Sequence, residues 1–417
     1  MTEKTTEAVK EQVGTRGADG VMYGGWTGPF VILVATLISY IDRQALSSLA
    51  PTILKETGLT ATDFGVILSF FSIAYMLANP FWGSILDHIG LRTGMAIAVL
   101  IWTVASASHA LISTFAGFAL ARTVLGIGEG AVFPGCMKTA TDCLPLKLRA
   151  RGAALGYSGA AAGAFITPII VIPFALKFGW RTAFWITGAL GVAWMAWWYL
   201  VCRPPKVPVK PRTVNKISLP NPLDRRFWLI VFTYGTGAVA LGVVLYMSPL
   251  YLNRAIGVSQ KDLAWIGWIP FVPWWLGYYA WAWVSDRMVA ENPRPVWVLL
   301  TLSVLALPVA FTGYFHSWPV VVAFFSWAMF IADGFIVMGL HVGARVYARD
   351  QSGMAAGIGG GAWSMVLALV LPVYGKWIEQ QSFERIFVTM SLIPLAGTLV
   401  YLWLSLPWKN ARHTTAS

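Results

Sequence analysis

Twelve apolar runs, each about long enough to cross a bilayer, constrain this chain more than any other feature. A membrane-spanning helix needs about 20 apolar residues, because no water is available there to satisfy backbone polar groups. The runs lack the alternation in ten-residue segments that is typical of membrane barrels. Taken between charged residues and Gly or Pro breaks, they predict helices at 27–54, 61–86, 94–112, 115–138, 152–176, 183–202, 227–252, 262–284, 296–315, 318–343, 353–376 and 384–406.

The composition and the placement of charge agree with a membrane protein. The chain is 57% hydrophobic and 12% charged, against roughly 45–50% and 25% in soluble domains. Its net charge of +12 is spread in short blocks between apolar runs, whereas a nucleic-acid partner requires a basic face. With the N-terminus inside, twenty basic residues fall in inner loops and tails, seven in outer loops and three within helices. Because inner loops carry the basic excess, we expect both termini to be cytoplasmic, in a bacterial inner membrane.

A long polar interruption divides the runs into two sets of six. We predict a cytoplasmic linker at 203–226 between an N-terminal bundle at 27–202 and a C-terminal bundle at 227–406. Cytoplasmic tails are expected at 1–26 and 407–417. Residues 1–25 carry charges of both signs and glycines before any apolar run, which does not fit a signal peptide.

The two sets of runs repeat a local pattern. The segment Gly58-Leu-Thr-Ala-Thr-Asp63 opens the second run, and Gly257-Val-Ser-Gln-Lys-Asp262 opens the eighth. Both contain a capping box, and in both an aspartate, Asp87 or Asp286, follows 24 residues after the box. The repeat predicts an all-α membrane protein of twelve transmembrane helices in two pseudo-symmetric six-helix bundles, with a substrate site between them near the bilayer midplane.

The loop after the second run carries the sharpest local motif, Gly83-Ser-Ile-Leu-Asp87-His-Ile-Gly90-Leu-Arg92, with a weaker counterpart at 282–287. Glycine allows close helix approach, and an aspartate accepts hydrogen bonds from a helix N-terminus, while a basic residue holds one side closed. The alternative is an ordinary loop turn. We predict that the gating residues are Gly83, Asp87, Gly90, Arg92, Asp286 and Arg287.

Four ionisable residues lie in the interior of the first and fourth runs, namely Asp42, Arg43, Arg122 and Glu129. Such residues cost roughly 2.5–3.5 kcal/mol each on insertion scales and by default mark a transport pathway or proton relay. Counting about 1.5 Å per residue, Asp42 and Arg122 reach the same depth in a layer about 30 Å thick. Arg122 and Glu129, seven residues apart, share one helix face, and the Arg43 side chain is long enough to extend toward Glu129.

Two interpretations of these four residues remain open. They can form two structural ion pairs, although buried pairs are weak stabilisers. Alternatively, the carboxylates exchange a proton while the guanidinium groups hold an anionic substrate. An arginine favours the ionised form of a nearby carboxylate and burial favours the neutral form, so an arginine that moves to the substrate allows the carboxylate to take up a proton.

Polar and aromatic residues of other helices are further candidates for substrate binding. Packing or interfacial placement explains most single aromatic residues equally well. Asp333 and His341 lie eight residues apart on one side of the tenth helix, where a structural hydrogen bond and a ligand contact both fit. The set comprises Tyr75, Asn79, Tyr157, Ser158, Asp333, His341, Trp363 and Ser364.

Several motif matches point away from enzymes and cofactors. The glycine runs at 126–131 and 357–362 match a dinucleotide fingerprint, G-x-G-x-x-A, but that site needs a βαβ unit, so close helix packing explains them better. The chain has no Walker A, HExxH or CxxC sequence, and we therefore expect neither enzyme activity nor ATP hydrolysis, and no metal or cofactor.

Several of these motifs together resemble the anion:cation symporter family of the major facilitator superfamily, in particular its hexuronate and aldonate transporters. The resemblance extends over all twelve helices. It rests on Tyr40-Ile-Asp42-Arg43-Gln44, Tyr75 twelve residues before Asp87, Arg122-x6-Glu129-x4-Pro134 and the Gly-Ile-Gly-Gly run at 357–360.

The resemblance implies proton-coupled uptake of a sugar acid by alternating access. It assigns proton coupling to Asp42 and Glu129, carboxylate binding to Arg43 and contact with sugar hydroxyls to Tyr75. The chain departs from the family at 159–162 on helix five, Gly-Ala-Ala-Ala, which offers no amide side chain to a sugar.

The expected partners are therefore a small organic anion, a proton and the lipid bilayer, with the monomer as the working unit. An exporter or uniporter of other monocarboxylates or amphipathic compounds is the main alternative. A membrane sensor or scaffold is less favoured, since the linker is short and no soluble signalling domain is attached.

Overall fold

The structure is a computed structural model that describes residues 25–201, 221–289, 295–347 and 352–406. The predicted N-terminal tail up to residue 24, the predicted linker up to residue 220 and the predicted tail at 407–417 lie outside the described residues. Within the described ranges the regular elements are helices, and no strand occurs.

Twelve membrane helices follow one another along the described chain. All except α8 are continuous segments long and apolar enough to cross a membrane. They are α1 (Thr27–Ser48), α2 (Ala61–Ile89), α3 (Leu91–Leu111), α4 (Phe115–Cys143), α5 (Lys147–Phe178), α6 (Trp180–Val201), α7 (Arg225–Ile256), α8 (Gln260–Ile266 and Phe271–Val284), α9 (Val296–Tyr314), α10 (Trp318–Val346), α11 (Met354–Glu379) and α12 (Phe383–Ser405).

The twelve predicted helices are confirmed, and the main differences arise at proline and glycine. The first helix was predicted to run to residue 54 but ends at Ser48, and a short helix, Ala50–Thr57, follows it. Pro51 explains the break, because it has no backbone N–H to donate to the Ser47 carbonyl and its ring clashes with that carbonyl. The eighth helix is interrupted between Ile266 and Phe271, where Pro270 offers no backbone N–H.

The local repeat seen in the sequence is also a structural repeat. Gly58 and Gly257 both adopt a left-handed conformation, with φ of 72° and 76°. At the start of α2, the Thr60 side chain and the Asp63 side chain form a reciprocal capping box. The Ser259 hydroxyl likewise accepts a hydrogen bond from a backbone N–H at the start of α8. The two halves therefore enter their second helices in the same way.

Glycines bring the helices of the N-terminal half into close contact. A Cβ on Gly159 of α5 would overlap the Leu33 carbonyl of α1, and one on Gly126 of α4 would overlap the Phe71 carbonyl of α2. The close-packing interpretation therefore fits the first glycine run. It fails for part of the second, because no neighbouring atom lies within 4 Å of a Cβ built on Gly357 or Gly360.

The two halves meet closely at the end predicted to face the periplasm. Gly65 of α2 lies against the Leu371 carbonyl of α11, and Thr62 of α2 donates a 2.5 Å hydrogen bond to Glu379 of α11. The Gln260 side-chain amide at the start of α8 makes two further hydrogen bonds across the halves, to the end of α1 and to the short helix after it. Its nitrogen donates to the Ser48 carbonyl at 2.7 Å, and its oxygen accepts from Thr52 at 3.0 Å. This end of the molecule is closed.

Candidate functional site

The centre of the molecule holds a buried ion pair between α1 and α4. The Arg43 guanidinium donates a hydrogen bond through Nε to a carboxylate oxygen of Glu129, and both side chains are 0% exposed. Three aromatic rings surround the guanidinium, those of Tyr40, Phe71 and Tyr75, with centroids 4.7, 4.9 and 4.6 Å from its carbon. Such cation–π contacts hold the cation where little water can reach it. The Arg43 side chain therefore extends to Glu129, as its length and position in the sequence suggested.

This ion pair leaves hydrogen-bonding capacity unused. Both terminal nitrogens of Arg43, Nη1 and Nη2, and the second carboxylate oxygen of Glu129 have no hydrogen-bond partner. A guanidinium presents its donors in a planar fork that matches a carboxylate. One edge of Arg43 is therefore occupied by Glu129, and its terminal nitrogens remain available to an anionic ligand.

Asp42 is held on the other side of α1. One of its carboxylate oxygens accepts a 2.6 Å hydrogen bond from the Ser106 hydroxyl of α3, and Ser106 lies 2.8 Å from the Thr187 hydroxyl of α6. The other oxygen of Asp42 has no partner. Asp42 thus turns into the N-terminal bundle, whereas the adjacent Arg43 turns toward α4.

Arg122 is buried close to this group without a hydrogen bond of its own. Its side chain is 0% exposed, and none of its three nitrogens has a partner. The structural interpretation required two ion pairs, and the structure contains one of them, Arg43 with Glu129. We call these four residues, Asp42, Arg43, Arg122 and Glu129, the buried charge cluster. Its two arginines and two carboxylates give it no formal net charge.

The remaining candidates on α2 and α5 have different surroundings. Tyr75 is buried and stacks on Phe71, whereas Asn79 is half-buried one turn further along α2. The Tyr157 ring of α5 packs edge-on against Phe133 of α4, with centroids 4.8 Å apart. Ser158 donates its hydroxyl hydrogen to a carbonyl of its own helix, and its oxygen is the part left to contact a ligand.

In the C-terminal half the candidates on α10 and α11 are separated. Trp363 of α11 donates its indole N–H to the Ala238 carbonyl of α7 at 3.1 Å, and Ser364 is buried beside it. His341 lies 3.2 Å from the Ser285 hydroxyl at the end of α8. Asp333 has no hydrogen-bond partner on either oxygen, so it does not pair with His341.

The predicted gating loop is anchored by an ion pair that sequence reasoning did not foresee. Asp87 accepts a 2.7 Å hydrogen bond from the Lys138 ammonium of α4, which also lies 3.8 Å from Asp142. The partner of Asp87 is therefore a side chain and not a helix N-terminus. Gly90 ends α2 with φ of 83°, a conformation that glycine adopts most easily.

The other gating candidates differ from the expectation in two respects. Arg92 stacks over the Tyr199 ring of α6 at 4.3 Å. No neighbouring atom lies within 4 Å of a Cβ built on Gly83, so the expected close helix approach at Gly83 is absent in this structure. In the second half, Asp286 and Arg287 are exposed, and Arg287 lies over Trp283.

The residues that sequence reasoning missed are Ser106, Thr187 and Lys138. Their signals are weak, because hydroxyls are common in apolar helices and a lysine near a helix end reads as a boundary residue. Among the residues that the structure describes, no three His, Cys, Asp or Glu side chains form a group that could hold a metal ion.

The fold and the buried charge cluster define a polytopic membrane transport protein built from two six-helix halves. Residues 32–358 match the Major Facilitator Superfamily, and the chain belongs to that family. It is a transporter and not an enzyme, and it resides in a membrane through multiple helices.

Two curated relatives from Escherichia coli K12 are similar over most of the chain. A hexuronate transporter is 24% identical over 93% of this chain and 95% of its own length. A probable L-galactonate transporter is 26% identical over 91% of this chain and 88% of its own length.

Two solved structures share the fold. A bacterial homologue of the lysosomal transporter Spinster, in an inward-facing and occupied conformation, aligns with a TM-score of 0.74 at 16% identity, over 91% of this chain and 96% of its own. A D-xylose–proton symporter aligns with a TM-score of 0.69 at 15% identity, over 91% of this chain and 97% of its own.

Proposed function

We propose that this protein takes up a sugar acid, such as a hexuronate or an aldonate, together with a proton by alternating access. The observation that carries the proposal is the half-satisfied ion pair, in which Arg43 binds Glu129 and still has two free terminal nitrogens. Relatives named as hexuronate and probable L-galactonate transporters support the substrate class.

Charge balance supports coupling to a proton. The cluster of Asp42, Arg43, Arg122 and Glu129 has no formal net charge and is buried. An anion that enters it adds one negative charge in a region of low dielectric, where an uncompensated charge is costly. One proton taken up by a carboxylate restores neutrality, so anion and proton enter at lower free energy together than separately.

The ion pair supplies a route for this exchange. A substrate carboxylate that binds the terminal nitrogens of Arg43 competes with Glu129 for the guanidinium. As Glu129 loses its cation, its neutral form becomes favoured and it takes up the proton. Asp42, which keeps one oxygen on Ser106 and one without a partner, is the second carboxylate that can carry it. Arg122 offers a second cation to the anion.

The closed end observed between the halves fits one state of this cycle. With the termini in the cytoplasm of a bacterium, that end faces the periplasm and the site releases its substrate inward. We propose that a single chain in the inner membrane carries out the whole cycle, since each half supplies its own helices to the central site.

Purified protein in liposomes tests the proposal directly. With an alkaline interior and the membrane potential clamped by potassium and valinomycin, we expect accumulation of radiolabelled glucuronate, galacturonate or galactonate above the outside concentration. A protonophore should abolish that accumulation. If no sugar acid enters under a pH gradient, the substrate class is wrong, and accumulation that survives the protonophore excludes the proton. Efflux of an apolar monocarboxylate in the same vesicles would instead support the exporter alternative.

A further inference from the structure

Asp333, near the middle of α10, is a buried carboxylate that the ion-pair mechanism does not use. Its side chain is 0% exposed, and neither oxygen has a hydrogen-bond partner. Burying a carboxylate without a partner costs several kcal/mol, so native proteins rarely leave one unsatisfied without a functional reason. Even with one donor beside it on α8, at least one of its two oxygens is left for a group from outside the chain.

The surroundings of Asp333 include one N–H donor. Trp274 of α8 lies beside it, and its buried indole N–H interacts with the carboxylate without forming a hydrogen bond of normal length and angle. One turn along α8, a Cβ added to Gly277 would lie 2.7 Å from an oxygen of Asp333. Glycine at this position leaves the space that the carboxylate occupies. Helices α8 and α10 thus present two acceptor oxygens and one N–H donor side by side.

This pair of residues lies across the boundary of the two halves from Arg43. The Trp274 ring packs against the Tyr40 ring of α1, with centroids 6.2 Å apart. Tyr40 is in turn one of the rings around the Arg43 guanidinium. His341, the next ionisable side chain along α10, is about 12 Å further along the helix axis and lies against Ser285. Asp333 and Trp274 therefore belong to the central site and not to the end of the bundle.

We infer that Asp333 and Trp274 bind one hydroxyl group of the transported anion, the hydroxyl donating to Asp333 and accepting from the Trp274 N–H. This inference rests on the proposed function and names the part of the substrate that the C-terminal half recognises. A hydroxyl can insert between the two side chains, because it donates to the carboxylate and accepts from the indole N–H. A second carboxylate would be repelled by Asp333, and an alkyl group would satisfy neither side chain.

The two recognition points select a polyhydroxy acid. Its carboxylate binds Arg43 in the N-terminal half, and a hydroxyl toward the other end of the molecule binds Asp333 in the C-terminal half. Because the two points lie on different halves, a ligand of this kind bridges the boundary that alternating access must open and close. An acid without hydroxyls engages one half only.

Binding of D-galacturonate and hexanoate to the purified full-length protein, measured by calorimetry, tests the inference. We compare the wild type with Asp333→Ala, Asp333→Asn and Trp274→Phe, which keeps a smaller aromatic ring and removes the N–H. Ser303→Ala, which removes a buried hydroxyl paired with Thr398, is the matched control in the same half. Loss of a hydrogen bond to a charged group predicts a fall in galacturonate affinity of about tenfold or more for Asp333→Ala. The fall should be smaller for Trp274→Phe and absent for the control and for hexanoate.

The outcomes separate this inference from the proposed function. If Arg43→Ala abolishes galacturonate binding while Asp333→Ala and Trp274→Phe bind within twofold of the wild type, the inference is wrong and the proposed function stands. If Asp333→Asn binds as tightly as the wild type but moves fewer protons per sugar acid, Asp333 carries a proton and does not bind the hydroxyl. If the wild type neither binds nor transports any sugar acid, the proposed function fails first and the inference fails with it. Asp333→Asn retains the side-chain volume and Trp274→Phe retains an aromatic ring, so these two variants report even where Asp333→Ala does not fold.

Discussion

Arg43 and Glu129 form an ion pair that is completely buried between α1 and α4, yet each keeps polar atoms without a hydrogen-bond partner. A pair that served only to join two helices would gain most by satisfying every donor and acceptor, because an unmet buried group costs more than the bond contributes. The unused nitrogens on Arg43 are better explained by a group that is present for only part of a cycle. Two substitutions at this pair test that explanation, and two further predictions test the closed end between the halves.

Glu129→Gln should uncouple transport from the proton. Glutamine keeps the length of the side chain and an oxygen that accepts from Arg43, but it cannot take up a proton. We expect galacturonate exchange across liposomes of equal pH to persist, while accumulation driven by a pH gradient falls to the level seen with a protonophore. Glu384→Gln, at the exposed start of α12, is the control and should accumulate substrate normally. Gradient-driven accumulation in Glu129→Gln would remove Glu129 from the coupling mechanism.

Arg43→Lys should weaken substrate binding although it preserves the positive charge. Lysine lacks the planar fork that lets Arg43 hold Glu129 through one edge and a substrate carboxylate through the other. The loss of one charge-assisted hydrogen bond predicts an affinity for galacturonate lower by about tenfold or more, measured by calorimetry. Arg385→Lys, on the exposed first turn of α12, serves as the control. Wild-type affinity in Arg43→Lys would show that charge alone is sufficient.

The sequence predicts the structure best where a single local physical constraint determines a structural feature. Apolar length gave the helices, and the capping boxes at Thr60 and Ser259 gave the duplication, because both are local. The contact between Arg43 and Glu129 could also be predicted from the sequence. Both side chains are costly to place in lipid, and the depth of each in the membrane can be counted along its helix.

The partners of Asp42 and Asp87 could not be obtained in the same way. Ser106 lies 64 residues from Asp42, and Lys138 lies 51 residues from Asp87. In a helix that is apolar on all sides, the hydrophobic pattern does not fix which face turns inward. The rotation of α3 and α4, and with it the identity of these partners, is set by close packing at positions such as Gly128, where a Cβ would overlap the Trp102 backbone.

Gln260→Ala should favour opening of the end predicted to face the periplasm. The Gln260 amide makes two hydrogen bonds across the halves, to Ser48 and Thr52, and both must break when that end opens. We expect spin labels placed on either side of this end to show a larger population at long separation in double electron–electron resonance. Gln380→Ala, an exposed amide near the end of α11, should give the wild-type distribution. An unchanged distribution in Gln260→Ala would mean that the helix contacts alone keep this end closed.

Two glycines of α2 should respond differently to the same substitution. A Cβ on Gly65 would overlap the Leu371 carbonyl of α11, whereas a Cβ on Gly83 meets no neighbouring atom within 4 Å. Overpacking of a close contact typically costs about 1–3 kcal/mol, so Gly65→Ala should lower the thermal unfolding temperature of the detergent-solubilised protein. At Gly83 alanine adds helix propensity of about 1 kcal/mol without a clash, and the unfolding temperature should rise or stay the same. Because alanine fits the α2 helix itself at both positions, a fall in unfolding temperature at Gly65 alone isolates the contact between α2 and α11. Equal changes at the two sites would show that this contact does not keep the halves together, and the closed end would then depend on the Gln260 and Thr62 hydrogen bonds.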